Sequence, residues 1–313
     1  MTESSSHNSQ TPRLAVLALI VLALIWSYNW VVMKWVLQYV GAIDFAALRA
    51  VFGAALLLVM LPLSGRSLKP PPWRPVLWIG LWQVAGMAGL SQLALVSGGA
   101  GKTAVLVYTM PFWMLALAAW LLNEKPRPLQ IVAAGIAAAG LLFVLRPWQW
   151  QGSWLSSMLA VGSGAAWAAG SVAAKRAFRH QAIDLLQLTT WQMVVGATVL
   201  ATLALATHEQ PIVWSLPMLG ALAYNAVLGT ALGWGLWLFV MRSLPAGVAG
   251  LSTLATPVLS VLWAVWLLGE RPGFAESIGI TLILLALALL GASGIRQAAL
   301  RHLSHIREGS SLK

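Results

Sequence analysis

The sequence contains one short corner twice, as WLLNEKP at residues 120–126 and as WLLGERP at residues 266–272. Five of the seven letters coincide, and each copy ends a long apolar run. The similarity extends upstream, because Pro111 and Pro257 occupy matching positions at an offset of 146 residues. Internal similarity of this length predicts that the chain is built from two related halves.

The composition is that of a membrane protein. Of the 313 residues, 59% are hydrophobic and only 9% are charged, which leaves too little polar surface to cover a soluble fold. Ten apolar stretches approach the twenty residues that a helix needs to cross a bilayer, and helices satisfy the backbone there. We therefore predict an all-α integral membrane protein with ten transmembrane helices. The predicted spans lie near 14–33, 44–63, 76–96, 102–121, 129–146, 154–175, 184–206, 216–240, 247–268 and 276–295.

Two halves of five helices each must be inserted in opposite directions, because five is odd. The predicted first repeat covers residues 14–146, and the predicted second repeat covers residues 154–295. Residues 1–13 are polar and are predicted to form a disordered cytoplasmic tail. Residues 296–313 are predicted to form a basic amphipathic cytoplasmic tail on the inner leaflet.

The distribution of basic residues predicts the orientation. With the N-terminus in the cytoplasm, fourteen of the nineteen lysines and arginines lie on the cytoplasmic side, so both termini are predicted to be cytoplasmic. The net charge of +11 then reflects loop charge and not nucleic-acid binding. Five basic residues fall at or toward the outside: Lys34, Arg49, Lys102, Arg146 and Arg271.

Several stretches carry a resemblance to a known family: WSYNWVVMK at 26–34, FAALR at 45–49, WAAGSVAAKR at 167–176, and the proline-containing helices that end in NEKP and GERP. Over nearly the whole chain after residue 13, the sequence resembles the ten-helix, EamA-type members of the drug/metabolite transporter superfamily. Within that family it looks most like the bacterial aromatic amino-acid exporters. The resemblance implies alternating access and export of small metabolites from the cytoplasm, in a bacterial inner membrane.

The titratable residues argue against an enzyme. All five histidines fall in tails or loops, and the acidic residues lie near span ends, so no catalytic pair or metal cluster is predicted at membrane depth. The chain has no cysteine. We predict no cofactor and no metal. Glu124 and Glu270 are each predicted to stabilise the N-terminus of the helix that follows, where negative charge is favourable.

A carrier needs a cavity with a few polar groups, and polar side chains within spans avoid lipid. Aromatic residues suit a hydrophobic amino acid. Each candidate has an ordinary alternative, which is helix–helix hydrogen bonding for the polar residues and core packing for the aromatic ones. The candidate substrate-binding residues are Asn29, Trp30, Trp82, Gln83, Tyr108, Trp113, Trp167, Asn225, Trp234 and Thr256.

Two prolines and four basic residues have candidate roles in movement or gating. Pro111 and Pro257 fall within spans, where a proline either permits bending or leaves a static kink. The charged candidates at the mouths are Lys34, Arg49, Lys102 and Lys175. The lysines either attract a substrate carboxylate or extend to the membrane interface. Arg49 is deep enough to need a partner, for which Asp44 is a candidate.

The leading hypothesis is a carrier that exports aromatic or other hydrophobic amino acids by alternating access around a central cavity. A broad-specificity drug or metabolite exporter is the alternative in the same class. A channel is a third possibility, although its expected ring of polar or charged residues is missing. The predicted partners are the small-molecule substrate and the lipid bilayer, and the sequence is compatible with a monomer without determining the oligomeric state.

Overall fold

A computed structural model describes residues 7–123, 125–145, 154–180, 182–207, 209–234, 236 and 246–289. Within these ranges the chain is helical and contains no β-strand, which confirms the all-α prediction. Two π-helical segments, Gly80–Gly86 and Tyr224–Leu232, are embedded in the helices. The α-helices are His7–Trp35, Ala42–Leu63, Trp73–Ile79, Met87–Ser97, Ala100–Val107, Met110–Leu122, Pro128–Leu145, Trp154–His180, Leu185–Thr207, Leu216–Ala223, Ala246–Leu268 and Phe274–Leu289.

These helices supply ten apolar segments among the described residues, in agreement with the ten predicted spans. Seven segments are long and apolar enough to cross a membrane: Leu17–Gln38 (span 1), Ala42–Leu63 (span 2), Trp73–Ser97 (span 3), Ala100–Leu121 (span 4), Pro128–Leu145 (span 5), Trp154–Phe178 (span 6) and Leu185–Thr207 (span 7). Three described segments are shorter: Leu216–Leu232 (span 8), Thr256–Leu268 (span 9) and Phe274–Leu289 (span 10). The helix that contains span 9 begins at Ala246.

The first helix begins earlier than predicted. It starts at His7, so the helix includes residues 7–13 of the predicted tail. Once the apolar run has formed a helix, each added residue gains a hydrogen bond without a new nucleation step, so the helix extends into polar sequence. The predicted tail at residues 296–313 lies outside the described residues.

The repeated corner has one backbone conformation in both copies. Asn123 has φ 54° and Gly269 has φ 64°, and each residue directly follows the last residue of a helix. Asparagine and glycine are the residues that most readily adopt this left-handed conformation, which ends a helix and turns the chain. The sequence similarity at WLLNEKP and WLLGERP therefore encodes the same helix stop twice.

Glu270 stabilises a different helix from the predicted one. Its carboxylate accepts hydrogen bonds from the backbone nitrogen of Ala100, at 2.5 Å, and from that of Gly101, at 3.1 Å. These amides begin span 4, whereas the prediction assigned Glu270 to the start of span 10. A helix N-terminus presents unpaired amides and a partial positive charge, and the first turn of span 4 is the N-terminus that this side chain reaches. Glu124 lies outside the described residues.

The loops after spans 2 and 7 each contact the start of the other span. Arg66, after span 2, forms an ion pair with Asp184, directly before span 7. Glu209, after span 7, accepts hydrogen bonds from the backbone nitrogens of Ile43, at 2.8 Å, and Asp44, at 3.2 Å. The two contacts lie at opposite ends of the same antiparallel pair of helices, one between side chains and the other between a side chain and the backbone.

Small residues allow close helix packing at the centre of the molecule. Ala46, Ala50 and Ala54, spaced by four in span 2, are all buried. A Cβ atom placed on Gly53 would lie 2.5 Å from Thr230 Cγ2, and one placed on Gly196 would lie 2.2 Å from Val84 Cγ1. Both distances are shorter than van der Waals contact, so these glycines set how closely span 2 approaches span 8 and span 7 approaches span 3.

Replacing Gly196 by alanine is expected to destabilise the protein by about 1–3 kcal/mol, because Val84 is β-branched and cannot easily move aside. The matched control is Gly220→Ala, since Gly220 is exposed and nothing lies within 4 Å of an added Cβ. That control should be neutral or stabilising by up to about 1 kcal/mol. Thermal unfolding in detergent compares the variants, and equal effects at the two positions would contradict the close packing.

The outer surface of the described helices is strongly apolar. Leu63, Leu205, Leu216, Trp120 and Phe274 each expose more than 70% of their surface. A soluble monomer rarely exposes apolar patches on this scale. In a bilayer these apolar side chains would contact the hydrocarbon, as expected for a protein that crosses the membrane several times.

Candidate substrate-binding cavity

A cavity of about 90 Å³ lies near the middle of the described spans, with room for several water molecules. It is bordered by spans 1, 2, 3, 4, 6 and 7 and by the helix that contains span 8. The lining residues are Trp26, Asn29, Trp30, Met33, Arg49, Ala50, Gln83, Val84, Met87, Ala88, Ser91, Tyr108, Trp167, Met193, Gly229, Thr230 and Trp234. Such a location is typical of the binding sites of carriers.

Aromatic rings from spans 1, 4 and 6 and from the residues that directly follow span 8 meet at the cavity. Trp26 packs edge-to-face against Trp167 and Trp234, with ring centroids 6.5 Å and 5.8 Å apart. Tyr108 packs in the same way against Trp167, at 5.6 Å. The indole nitrogen of Trp26 also donates a hydrogen bond of 3.0 Å to the backbone oxygen of Gly229. This network holds the rings in fixed orientations and gives the cavity an apolar wall with specific geometry.

Two π-helical segments face this cavity from opposite halves of the chain. Gly80–Gly86 supplies Gln83 and Val84, and Tyr224–Leu232 supplies Gly229 and Thr230. A π-helix shifts hydrogen bonds from i−4 to i−5 partners, and such segments are frequent at functional sites. The two segments occupy equivalent places in spans 3 and 8, so a feature that the sequence pattern does not reveal is repeated in both halves.

Two polar atoms at the cavity have no hydrogen-bond partner among the described residues. They are Nε of Arg49 and Oδ1 of Asn29, and both atoms are buried. The amide nitrogen of Asn29 donates to Met33 Sδ at 3.0 Å, and thioether sulfur is a weak acceptor. A buried polar atom without a partner is unusual in a stable fold and calls for an explanation, such as a bound ligand, an ordered water or an ion.

The predicted pairing of Arg49 with Asp44 is wrong. No ion pair or hydrogen bond joins them in the part of the chain that the structure describes. Side chains three or four residues apart share a helix face, whereas a separation of five residues turns them about 140° apart. Asp44 lies in the first turn of span 2, while Arg49 lines the cavity.

Seven of the predicted site residues are brought together around the cavity. They come from five different spans and from the residues that directly follow span 8. Sequence reasoning selected them because they are polar or aromatic at membrane depth. They are Asn29, Trp30, Arg49, Gln83, Tyr108, Trp167 and Trp234.

Two predicted tryptophans lie outside this lining. Trp82 is 43% exposed and stacks on Trp78, with ring centroids 6.3 Å apart. Trp113 is 37% exposed, and its indole nitrogen donates to Thr109 Oγ1 at 3.3 Å. Both rings face the outside of the helix bundle, where indoles are compatible with lipid. Neither is a residue of the described cavity.

Asn225 and Thr256 are buried but also do not line the cavity. The Asn225 side chain donates to the backbone oxygen of Ala221 at 3.3 Å, within its own helix. The backbone oxygen of Thr256 accepts from Ser260 Oγ at 2.8 Å. Local hydrogen bonding therefore accounts for the amide nitrogen of Asn225, while its Oδ1 atom is buried without a partner among the described residues.

The remaining lining residues were not selected from the sequence. On span 1, Trp26 and Met33 share the face of Asn29 and Trp30 by helical spacing, so extending that face would have identified them. Ser91 and Thr230 are polar but short, and the others are apolar. The unselected residues are Trp26, Met33, Ala50, Val84, Met87, Ala88, Ser91, Met193, Gly229 and Thr230.

The two predicted hinge prolines have different surroundings. Span 4 is interrupted at Tyr108 and Thr109, and Pro111 lies in the first turn of the helix that follows, Met110–Leu122. The helix Ala246–Leu268, in contrast, runs through Pro257. The interruption in span 4 places Tyr108 at the cavity wall. Bending at either proline stays a prediction.

The predicted mouth lysines contact protein groups. Lys34 Nζ donates to the backbone oxygen of Leu95 at 2.6 Å and to that of Val96 at 3.2 Å, at the end of span 3. A cation at the C-terminal end of a helix is favourable, so Lys34 joins spans 1 and 3. Lys102 forms an ion pair with Glu276 at 3.7 Å. The side chain of Lys175 lies outside the described residues.

The exposed apolar surface, the ten helical segments and the central aromatic cavity together define a multi-pass membrane transporter. The chain belongs to the EamA-like transporter family, whose sequence profile matches residues 13–146 and again residues 154–292. The family is a family of transporters and not of enzymes, as predicted from the sequence. Among the described residues, no group of three or more histidine, aspartate or glutamate side chains is placed to hold a metal.

Several relatives are similar over most of their length. The uncharacterized transporter YoaV of Bacillus subtilis is 26% identical over 280 residues, which cover 88% of this chain and 93% of that protein. The uncharacterized inner membrane transporter YedA of Escherichia coli is also 26% identical over 280 residues, covering 87% and 89%. A probable amino-acid metabolite efflux pump of Salmonella typhimurium is 25% identical over 283 residues, covering 87% and 92%.

A crystal structure of 22% sequence identity has a TM-score of 0.64 and covers 91% of this chain and 99% of that chain. At this identity the likeness concerns the fold. The overall fold is therefore shared with a protein of low sequence identity.

Proposed function

We propose that this protein is a carrier that exports aromatic or other hydrophobic amino acids and related small metabolites from the bacterial cytoplasm. The observation that carries the proposal is the cavity near mid-span, where Trp26, Trp30, Tyr108, Trp167 and Trp234 surround a few polar groups. Rigid aromatic rings suit an apolar side chain, and the polar groups suit its charged ends. Similarity to a probable amino-acid metabolite efflux pump and to an inner membrane transporter supports the substrate class and the location.

Alternating access is the mechanism that we propose. Two halves, 14–146 and 154–295, are inserted in opposite directions, and the cavity opens in turn to the two sides as the halves move around it. The double match of one family profile supports the two halves. The contacts of Arg66 and Glu209 with opposite ends of the pair formed by spans 2 and 7 also support an inverted arrangement.

A broad-specificity exporter is the second candidate, and one observation favours it. Met33, Met87 and Met193 line the cavity from three different spans. Methionine side chains are flexible and polarizable, and they adapt to ligands of different shape. A wider range of apolar metabolites would then share the aromatic site.

The function is tested by the uptake of a panel of labelled amino acids into liposomes that contain the purified protein. Saturable uptake of tryptophan and phenylalanine above that of empty liposomes is the expected result. Saturable uptake of many apolar metabolites with equal efficiency would favour the broad exporter. Absence of saturable uptake for all of these compounds would contradict both proposals.

The orientation is tested by single cysteines, for which the chain has no natural background because it contains none. Lys69→Cys and Val213→Cys place thiols on exposed positions of the loops after spans 2 and 7. With both termini in the cytoplasm, an impermeant thiol reagent added outside intact cells should label position 213 and not position 69. Labelling of both positions from outside would contradict the inverted repeat.

A further inference from the structure

Arg49 is a cation in an unfavourable place. It lies seven residues after Ala42, the first residue of span 2, which corresponds to about 10 Å along the helix. Its Nε atom is buried and has no hydrogen-bond partner among the described residues. A guanidinium group remains charged in proteins, and a charge at membrane depth needs a counter-charge.

The acidic residues that could neutralise Arg49 are occupied elsewhere. Asp184 pairs with Arg66, and Glu276 pairs with Lys102. Glu209 and Glu270 each accept hydrogen bonds from the first amides of a helix, in spans 2 and 4 respectively. Asp44, the remaining acid of the described chain, lies in the first turn of span 2 and does not pair with Arg49. Within the described chain, therefore, no carboxylate is paired with this guanidinium.

The second half of the chain does not repeat this cation. At the position of span 7 that aligns with Arg49, when Gly53 is matched with Gly196, stands Gln192. Gln192 is 5% exposed and carries no charge. Among the described residues that line the cavity, the cation is therefore Arg49 of span 2.

Asn29, on span 1, contributes a hydrogen-bond acceptor to the lining of the same cavity. Its Oδ1 atom is a buried acceptor without a partner. Gly229 lies beside it, and a Cβ atom placed on that glycine would approach Oδ1 to 3.2 Å. A side chain at Gly229 would therefore crowd this acceptor.

We propose that the cavity recognises the zwitterionic backbone of a free α-amino acid, with the carboxylate bound by Arg49 and the ammonium group received by Asn29 Oδ1. The inference rests on the proposed function and deepens it by naming the two residues that recognise the substrate class. The apolar side chain of the substrate packs against the aromatic wall. A carboxylate forms strong, charge-assisted hydrogen bonds with arginine, so the substrate itself supplies the missing counter-charge.

This arrangement discriminates between compounds of similar shape. An amino-acid amide or an aromatic amine keeps the ring and the amino group but offers Arg49 no anion. Binding of such a compound would bury two cationic groups in one cavity of low polarity, which is unfavourable. The cavity therefore selects the free acid over its amide by charge, whatever the side chain.

The test compares the binding of L-tryptophan and L-tryptophanamide to the purified full-length protein by isothermal titration calorimetry. For Arg49→Gln, we expect the affinity for tryptophan to fall at least tenfold while the affinity for the amide is unchanged or higher. Arg49→Lys should retain part of the preference for the acid. The control is Arg74→Gln, because Arg74 is exposed, lies over the ring of Trp73 and is remote from the cavity lining.

Folding is followed at the same time, and Arg49→Gln without ligand should unfold at the same or a higher temperature because an unpaired cation has been removed. An unchanged ratio of acid to amide affinity in this variant would overturn the inference while leaving the proposed function intact. A lower unfolding temperature for Arg49→Gln without ligand would identify a structural role and would also overturn it. A wild-type protein that binds neither tryptophan nor any other amino acid would instead overturn the proposed function.

Discussion

Replacing Met87 by tryptophan is expected to reduce transport by roughly tenfold or more, because the larger ring fills the cavity that the substrate must enter. Met87 lines the cavity, whose volume is only about 90 Å³. A tryptophan there occupies much of that space and adds to the aromatic wall. The folded state should be retained, since filling a cavity with apolar atoms is often tolerated.

The control for this prediction is the same substitution on the outer surface. Met158 lies in span 6 and is 47% exposed, so Met158→Trp should leave both transport and stability close to the wild type. The measurement is the initial rate of tryptophan uptake into liposomes, normalised to the amount of folded protein. Equal rates for Met87→Trp and the wild type would show that substrate does not pass through this cavity.

Replacing Glu270 by glutamine is expected to loosen the side of the protein that the proposed orientation places outside the cell. The two carboxylate oxygens of Glu270 accept hydrogen bonds from the amides of Ala100 and Gly101. Glutamine has one acceptor oxygen and no charge, so one amide loses its partner and the helix N-terminus loses its anion. The expected loss of stability is about 1–3 kcal/mol.

The same substitution should shift the population toward a state that is open to the outside, because Glu270 joins the corner after span 9 to the start of span 4. A cysteine at Ser91, which is buried and lines the cavity, reports this opening. An impermeant thiol reagent added outside should modify Ser91→Cys faster when Glu270→Gln is also present. Glu276→Gln is the control, since Glu276 pairs with Lys102 at 3.7 Å and is expected to contribute less than about 1 kcal/mol.

Unchanged labelling of Ser91→Cys in the Glu270→Gln background would mean that this contact does not hold the outer side closed. If Glu270→Gln and Glu276→Gln raise the labelling rate of Ser91→Cys equally, the result would indicate general loosening of the loops. Only a selective increase with Glu270→Gln supports a role of the span 4 contact in alternating access.

The helices and the repeat were accessible to sequence reasoning because they depend on local properties. Apolar run length predicts a span whatever surrounds it. The helix stops at Asn123 and Gly269 depend on residues that tolerate a left-handed backbone, and their conformations agree in the two halves. Both features can be identified from a few neighbouring letters.

The non-local contacts could not be predicted in this way. Glu270 binds amides about 170 residues earlier in the chain, and no pattern around Glu270 identifies that helix. The sequence predicts a helix N-terminus as the partner of Glu270, which is correct, but it predicts the adjacent helix, which is wrong. Arg49 was likewise recognised as a cation in need of a partner, while the face on which it lies depends on packing.

The π-helical segments are a further feature of the site that sequence spacing does not predict. Gln83 lines the cavity, while its neighbour Trp82 is exposed. In Gly80–Gly86 the wider helical turn changes which residues share a face, so standard helical spacing does not separate inward from outward positions there. Such segments are set by tertiary packing, as at Gly80, where a Cβ would lie 2.7 Å from Val195.

The most direct test of a carrier is counterflow. Liposomes that contain the purified protein are loaded with unlabelled tryptophan and diluted into a trace of labelled tryptophan, and the label inside is followed over time. A carrier that alternates around one binding site predicts transient accumulation of label above the outside concentration, which then decays. A channel allows label to equilibrate without this overshoot, and equilibration without overshoot in the wild-type protein would contradict the proposed mechanism.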